Sequence, residues 1–236
     1  MTLSKKLKRR GEPVERRTQQ ERRDTTRLAL IEGTMAALIE LGYARTTTPE
    51  ITRRAKLSSG ALQHHFASKD DLMLAVVQHH FDEMRSQLDA FVSDMERQCG
   101  SEDWKAFVVL LEEIYSSRRY IPVWEIVLGS RGDRLLHNRI LRHRVQSLGI
   151  LETIWRRIFR NHIRDELTMV DLMHFTLATM RGFVFYNVIA QDKRFLERKT
   201  KMIQSLILNA MHEESGTGAV QPKDARIHAA SGPAHK

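Results

Sequence analysis

Apolar residues recur along this chain at spacings of three and four, without the two-residue alternation of a half-buried strand, so the pattern predicts helices throughout. Leu28, Ile31, Met35 and Leu38 mark a first helix from about Glu21 to Leu41, ended by Gly42. A second starts at Thr47 or Thr48: Thr47 with Glu50 has the form of a capping box, and Pro49 suits a first helical position. Ile51 and Ala55 are its inward residues. Ser58 caps a third helix with Leu62 and Phe66 inward, and Ser68 with Asp71 opens a fourth. The fourth is long, since Leu72, Val76, His80, Met84, Leu88, Phe91 and Met95 carry one stripe toward Gly100. Further helices follow. One holds Trp104, Phe107, Val108, Leu111 and Tyr115, and a short one runs from near Pro122 to Gly129. One capped by Asp133 runs to about Asn161 on Leu141, Val145, Leu148, Trp155 and Phe159. One capped by Thr168 runs to Ile189 on Leu172, Phe175, Thr179, Phe183 and Tyr186. The last spans about Lys193 to His212. The expected fold is all-α, with about nine helices.

Charge adds a direction to this picture. Across 236 residues, 38 Lys and Arg face 29 Asp and Glu, a net charge of +9. Residues 1–27 hold ten of the basic groups and four of the acidic ones, so this short segment carries most of the surplus. A basic arm has the sign that neutralises phosphates, and a solvated, flexible tail is the plainer reading of the same residues. Cys99 is the single cysteine, which leaves no intrachain disulfide and no cysteine-based zinc site. A cytoplasmic location fits. No leader-like segment appears, and even the longest apolar runs, such as Ala106 to Leu111, are far short of the roughly 20 residues that span a bilayer.

The candidate chemistry lies between Thr47 and Leu72. Short helices bury little, so caps and turns must set their geometry. Those same helix starts present backbone N–H groups and partial positive charge to a phosphate oxygen. Thr47, Thr48 and Ser68 serve as caps, and a phosphate contact is the functional reading for Thr48. The third helix is the recognition candidate. Ser58, Ser59, Gly60, Ala61, Gln63 and His64 are its outward positions, with His65 beside them. Gly60 lets backbone approach DNA closely, Gln63 can pair with adenine through two hydrogen bonds, and the histidines can donate to phosphate or base edges. Lys69 sits unfavourably at a helix N-terminus, which points to a phosphate contact.

This stretch resembles the DNA-binding domain of the TetR (tetracycline-repressor) family. Gly42-Tyr43, Thr47-Thr48, Ile51, Ala55, Leu57-Ser58, Gly60, Leu62, His65-Phe66, Lys69 and Leu72 carry the resemblance in register over roughly residues 20–80. Thr52 stands where the family keeps alanine, Lys56 where it keeps a turn glycine, and Gln63 where it keeps a tyrosine. Charge and composition give a basic flexible arm at 1–20 and a disordered tail at 214–236, rich in Gly, Ala, Pro and polar groups; the resemblance implies a helix-turn-helix domain at 21–80 and a helical effector-binding and dimerisation domain at 81–213. It implies a homodimer joined through about 168–190 and 193–212 on a palindromic double-stranded DNA operator. It also implies a small-molecule effector among the middle helices. Phe107, Tyr115, Trp124, Trp155, Phe175 and Phe183 are the bulky candidates there, beside Trp104 and Tyr186, although aromatics at helical spacing are usually core. Arg118 and Arg119 read as solvated surface.

Two other classes are weaker. The eleven histidines invite a catalytic or metal reading, but no His-Glu-x-x-His, Gly-x-Ser-x-Gly or phosphate-loop motif occurs. No enzyme activity, metal or cofactor is expected. The alternative within DNA binding is a regulator, repressor or activator, without a small-molecule ligand, constitutive or controlled by a protein partner.

Overall fold

The computed structural model describes residues 18–97, 104–190 and 193–216, and among them all regular structure is helical. The order is α1 Gln19–Leu41, α2 Thr48–Ala55, α3 Ser59–His65, α4 Lys69–Arg97, α5 Trp104–Ser116, α6 Ile121–Gly129, α7 Arg134–Phe159, α8 Glu166–Ala190 and α9 Lys193–Gly216. Single 3₁₀ turns at Arg118–Tyr120 and Ser130–Gly132 flank α6. Most of the basic arm, the α4–α5 junction with Cys99 and Gly100, and the C-terminal tail beyond Gly216 lie outside the described residues. No described helix is long and apolar enough to cross a membrane.

Met1–Ser86 with Ser117–Ser147 makes one compact unit, and Gln87–Ser116 with Leu148–Lys236 the other. In the first, Leu30, Ile31, Met35 and Leu38 of α1 are buried with Ile51, Leu62, Phe66, Leu72, Val76 and Ile126. Leu28, assigned to the α1 stripe from its spacing, is instead exposed, and Leu30 takes the buried place. The start of α1 is also earlier than the first apolar residue suggests. Thr18 caps it, with its Oγ1 accepting from the Glu21 N–H at 3.2 Å and its own N–H donating to Glu21 at 2.7 Å. At its other end Gly42 has φ 74° and closes the helix by donating to the Leu38 carbonyl at 3.0 Å.

Gly33 sets the crossing of α1 and α2. A Cβ placed there meets the Ala55 backbone N at 2.9 Å and the Ile51 carbonyl O at 3.1 Å, so only glycine permits this approach. The turn after α2 runs through Lys56, at φ 56° and ψ 41°, the only non-glycine residue with positive φ among the described residues. Leu57 then donates to the Thr52 carbonyl at 3.0 Å. Thr52 is buried, but its hydroxyl reaches the Thr48 and Pro49 carbonyls, both at 3.1 Å. The substitution for alanine therefore leaves no orphaned polar group.

The second unit is built on a ladder of rings. Phe91 lies 5.8 Å from Phe107, Phe107 6.0 Å from Trp155, and Trp155 4.4 Å from Phe159, with Trp104 at 6.3 Å from Phe159. The α7 stripe differs from expectation: Val145 is exposed, and Leu151, Ile154, Trp155, Ile158 and Phe159 are buried. Asp133 caps α7 as predicted, accepting from the Leu135 and Leu136 N–H groups at 3.0 Å. The cap of α8 is Asp165 rather than Thr168, whose N–H and hydroxyl both donate to the Asp165 carboxylate at 2.7 Å. The buried face of α8 is Met169, Met173, Thr176, Leu177, Met180 and Val184. Phe175 and Tyr186 are exposed instead, with Phe183 half-buried. Lys199 of α9 is buried. Its Nζ reaches Glu112 at 3.0 Å and Ser116 Oγ at 2.9 Å, and lies 5.1 Å from the Phe183 ring centre.

Candidate nucleic-acid interface

The recognition candidate α3 is held by its two ends. Ser58 Oγ accepts from the Ala61 N–H at 3.1 Å at the start, and the Phe66 N–H donates to the Leu62 carbonyl at 2.9 Å at the finish. Leu62 and Phe66 anchor the inner side. Ser58, Ser59, Gly60, Gln63 and His64 are then left on the outer one, all exposed. Ala61 and His65 are half-buried, and the Ala61 amide is already taken by Ser58, so Ala61 offers less to an outside partner than its place in the pattern suggests. A Cβ at Gly60 would meet nothing nearer than Ser58 Oγ at 3.8 Å. Nothing inside the fold demands that glycine, whereas close approach from outside would.

Two more helix starts stand beside α3. Ser68 Oγ accepts from the Asp71 N–H at 3.1 Å and donates to the Asp71 carboxylate at 2.8 Å, so α4 is capped as expected. The predicted box between Thr47 and Glu50 does not form: Thr47 makes no side-chain cap bond. Glu50 is drawn away by two guanidinium groups, reaching Arg53 and Arg54 at 2.6 Å each, and these hold its carboxyl at about 2. Arg54 continues to Glu40 of α1 at 2.8 Å, tying the two helices. Thr47 is exposed and Thr48 half-buried, and the first turn of α2 keeps its N–H groups unclaimed by the Thr47 side chain.

Lys69 is half-buried. Its ammonium lies 5.1 Å from the centre of the Tyr43 ring, and burial pulls it below the usual lysine range, against the attraction of Asp70. Tyr43 is in turn fixed by α6. Its backbone N–H donates to Glu125 at 2.8 Å, and its ring covers Gly129, where a Cβ would come within 2.2 Å of it. Tyr43 thus supports Lys69 from below, a role that spacing along the sequence does not reveal. Arg27 of α1 was also missed: it lies 5.2 Å from the Phe66 ring centre and is exposed beside the C-terminal end of α3. His65 is held below the usual histidine range by burial, with His64, Arg23 and Arg27 adding to the effect. The interface candidates Thr47, Thr48, Ser58, Ser59, Gly60, Gln63, His64, His65 and Lys69 all lie in the α2–α4 segment of the first unit.

Arg119, expected to be solvated, is instead the hub of an ion-pair network. Its guanidinium binds Glu32 of α1 at 2.7 Å and Glu83 of α4 at 3.0 Å. Both acids also lie 3.4 Å from His79 Nε2. The cluster of Glu32, His79 and Glu83 has the spacing of a cation site, but the guanidinium already satisfies it. Arg139 binds Asp71 at 2.8 Å. Of the bulky ligand candidates, Phe107, Tyr115 and Trp155 are buried in the second unit, Phe183 of that unit is half-buried and Phe175 exposed, and Trp124 belongs to the first unit.

Residues 30–76 match the family of bacterial regulatory proteins of the tetR type. The chain is 32% identical over 121 residues to an HTH-type transcriptional regulator of Mycobacterium tuberculosis, a match covering 51% of this chain and 60% of that one. The similarity therefore spans less than two thirds of that relative. It is 26% identical over 188 residues to the HTH-type transcriptional repressor AcnR of Corynebacterium diphtheriae, covering 77% and 90% of the two chains. Among solved structures, the transcriptional regulator FadR of Bacillus subtilis in complex with stearoyl-CoA shares the fold at a TM-score of 0.59 and 16% identity, over 78% of this chain and 98% of that one. Helix order, capped turn and sequence match agree over the N-terminal segment, and residues 30–76 carry the domain of the tetR family of bacterial regulatory proteins.

Proposed function

We propose that this protein is a sequence-specific DNA-binding transcriptional repressor that acts as a homodimer on a palindromic operator and is released by a small-molecule effector. The observation that carries the reading is the outer face of α3: Ser58, Ser59, Gly60, Gln63 and His64 are exposed while Leu62 and Phe66 hold the helix down. Such a face fits a major groove, with Gln63 as the base reader and Ser59 and His64 as polar neighbours. Thr47, Thr48 and Lys69 flank it as phosphate contacts that fix register. In this reading residues 21–80 form the DNA-binding domain, preceded by the basic arm at 1–20, and residues 81–213 bind effector and partner copy. The apolar residues left outside on α8 and α9, among them Phe175, Ile189, Met202 and Leu206, support a second copy as their cover. A repressor among the relatives and a bound stearoyl-CoA in a structural neighbour support repression and effector control. Selecting bound fragments from the source genome tests the proposal. Palindromic sites with half-sites about one helical turn, or a multiple of it, apart are expected. Enrichment of no sequence over random DNA would overturn it.

A further inference from the structure

His80 occupies an interior position on α4 that an apolar side chain would fill without cost. It is 4% exposed, and neither ring nitrogen meets a hydrogen-bond partner among the described residues. His143 on α7 repeats the pattern, with Nε2 buried and unpartnered. Buried polar atoms are normally paired, so two such imidazoles in one unit need an explanation. They also share surroundings. Phe81 is in ring contact with both, its centre 5.8 Å from that of His80 and 5.9 Å from that of His143. Tyr120 tilts against His80 at 5.1 Å, and Trp124 stands edge-on to Tyr120 at 6.0 Å. A connected set of rings from α4, α6, α7 and the turn before α6 therefore includes ring nitrogens that no described residue uses.

We propose that His80 and His143, walled by Phe81, Tyr120 and Trp124, bind a small uncharged aromatic molecule carrying a hydroxyl group, and that this molecule is the effector. The effector role rests on the regulatory reading above. A neutral imidazole offers one donor and one acceptor, and a hydroxyl offers the same pair in return. An aromatic body suits ring walls, where edge-to-face contacts add to burial. An anion fits poorly: Arg119, whose charge acts on His80, is engaged by Glu32 and Glu83. An unpaired charge among apolar rings is costly to desolvate.

Phenol, benzoate and toluene added to the full chain with ¹⁵N-labelled histidine test the site. Phenol is expected to shift the ring-nitrogen signals of His80 and His143 and to bind about tenfold more tightly than toluene. His80→Phe removes that advantage, and His80→Gln, which keeps a donor and an acceptor, retains part of it. Unmoved His80 signals at saturating phenol, equal binding of phenol and toluene, or a preference for benzoate would overturn the proposal. Should His80→Phe fail to fold, the labelled wild-type spectra and His143→Phe decide. DNA release is read separately. Phenol bound at His80 without any change in DNA affinity would overturn the effector role and keep the site. Release by another molecule that persists in His80→Phe would overturn the site and keep the regulatory reading.

Discussion

Gly33 and Lys56 show how single residues set the packing of α2 and the turn into α3, and they predict opposite outcomes on substitution. At Gly33 the neighbours of an added Cβ are backbone atoms of α2, which have no rotamer to escape into. Gly33→Ala should therefore cost about 1–3 kcal/mol despite alanine's better helix propensity. Lys56 holds a left-handed conformation that glycine adopts freely, so Lys56→Gly should gain about 1 kcal/mol. Thermal unfolding of the two variants checks both signs. His80 adds a pH dependence. Burial first, then Arg119 and His79, push its ring down to about 4 from an ordinary 6.5. The unfolded chain thus takes up a proton below pH 6.5 that the folded chain refuses until about pH 4, and stability falls as pH drops through that window. The loss attributable to this ring is on the order of 3 kcal/mol. Urea melts at pH 7 and pH 4.5 should show the fall, and His80→Phe should flatten it.

At the scale of elements, what was legible in the sequence was local. Ser58, Ser68, Asp133 and Gly42 cap their helices because the partner of each lies within one turn. Several of the failures share one cause, competition from partners that spacing does not reveal. Thr47 loses Glu50 to Arg53 and Arg54. Arg119 reads as surface because its acids come from α1 and α4, far away along the chain. Spacing misplaces the buried face of α8 for another reason: that helix is apolar on most sides, and periodicity cannot choose between two apolar faces. Lys199 on α9 is the clearest case of a hidden role, since a lysine at that position looks solvated until Glu112 and Ser116 of α5 close on it. Lys199→Met should cost about 3 kcal/mol, the low end for breaking a buried pair, because Glu112 keeps some solvent contact. Adding Glu112→Gln should restore most of the loss, which a double-mutant cycle in denaturant would measure.

For the whole molecule, the two units divide the work in the proposed reading. The first presents α3, and α6 and α7 brace it through Glu125 at Tyr43 and Arg139 at Asp71. The second leaves apolar side chains of α8 and α9 uncovered. The account stands or falls on whether the exposed face of α3 reads base sequence. The direct measurement is the affinity of wild-type protein and Gln63→Ala for a selected site and for random DNA of equal length, at one salt concentration. The account predicts that wild-type protein favours the selected site by about a thousandfold or more, and that Gln63→Ala loses about tenfold on that site and almost nothing on random DNA. Equal losses on both DNAs, or no loss on either, would contradict it.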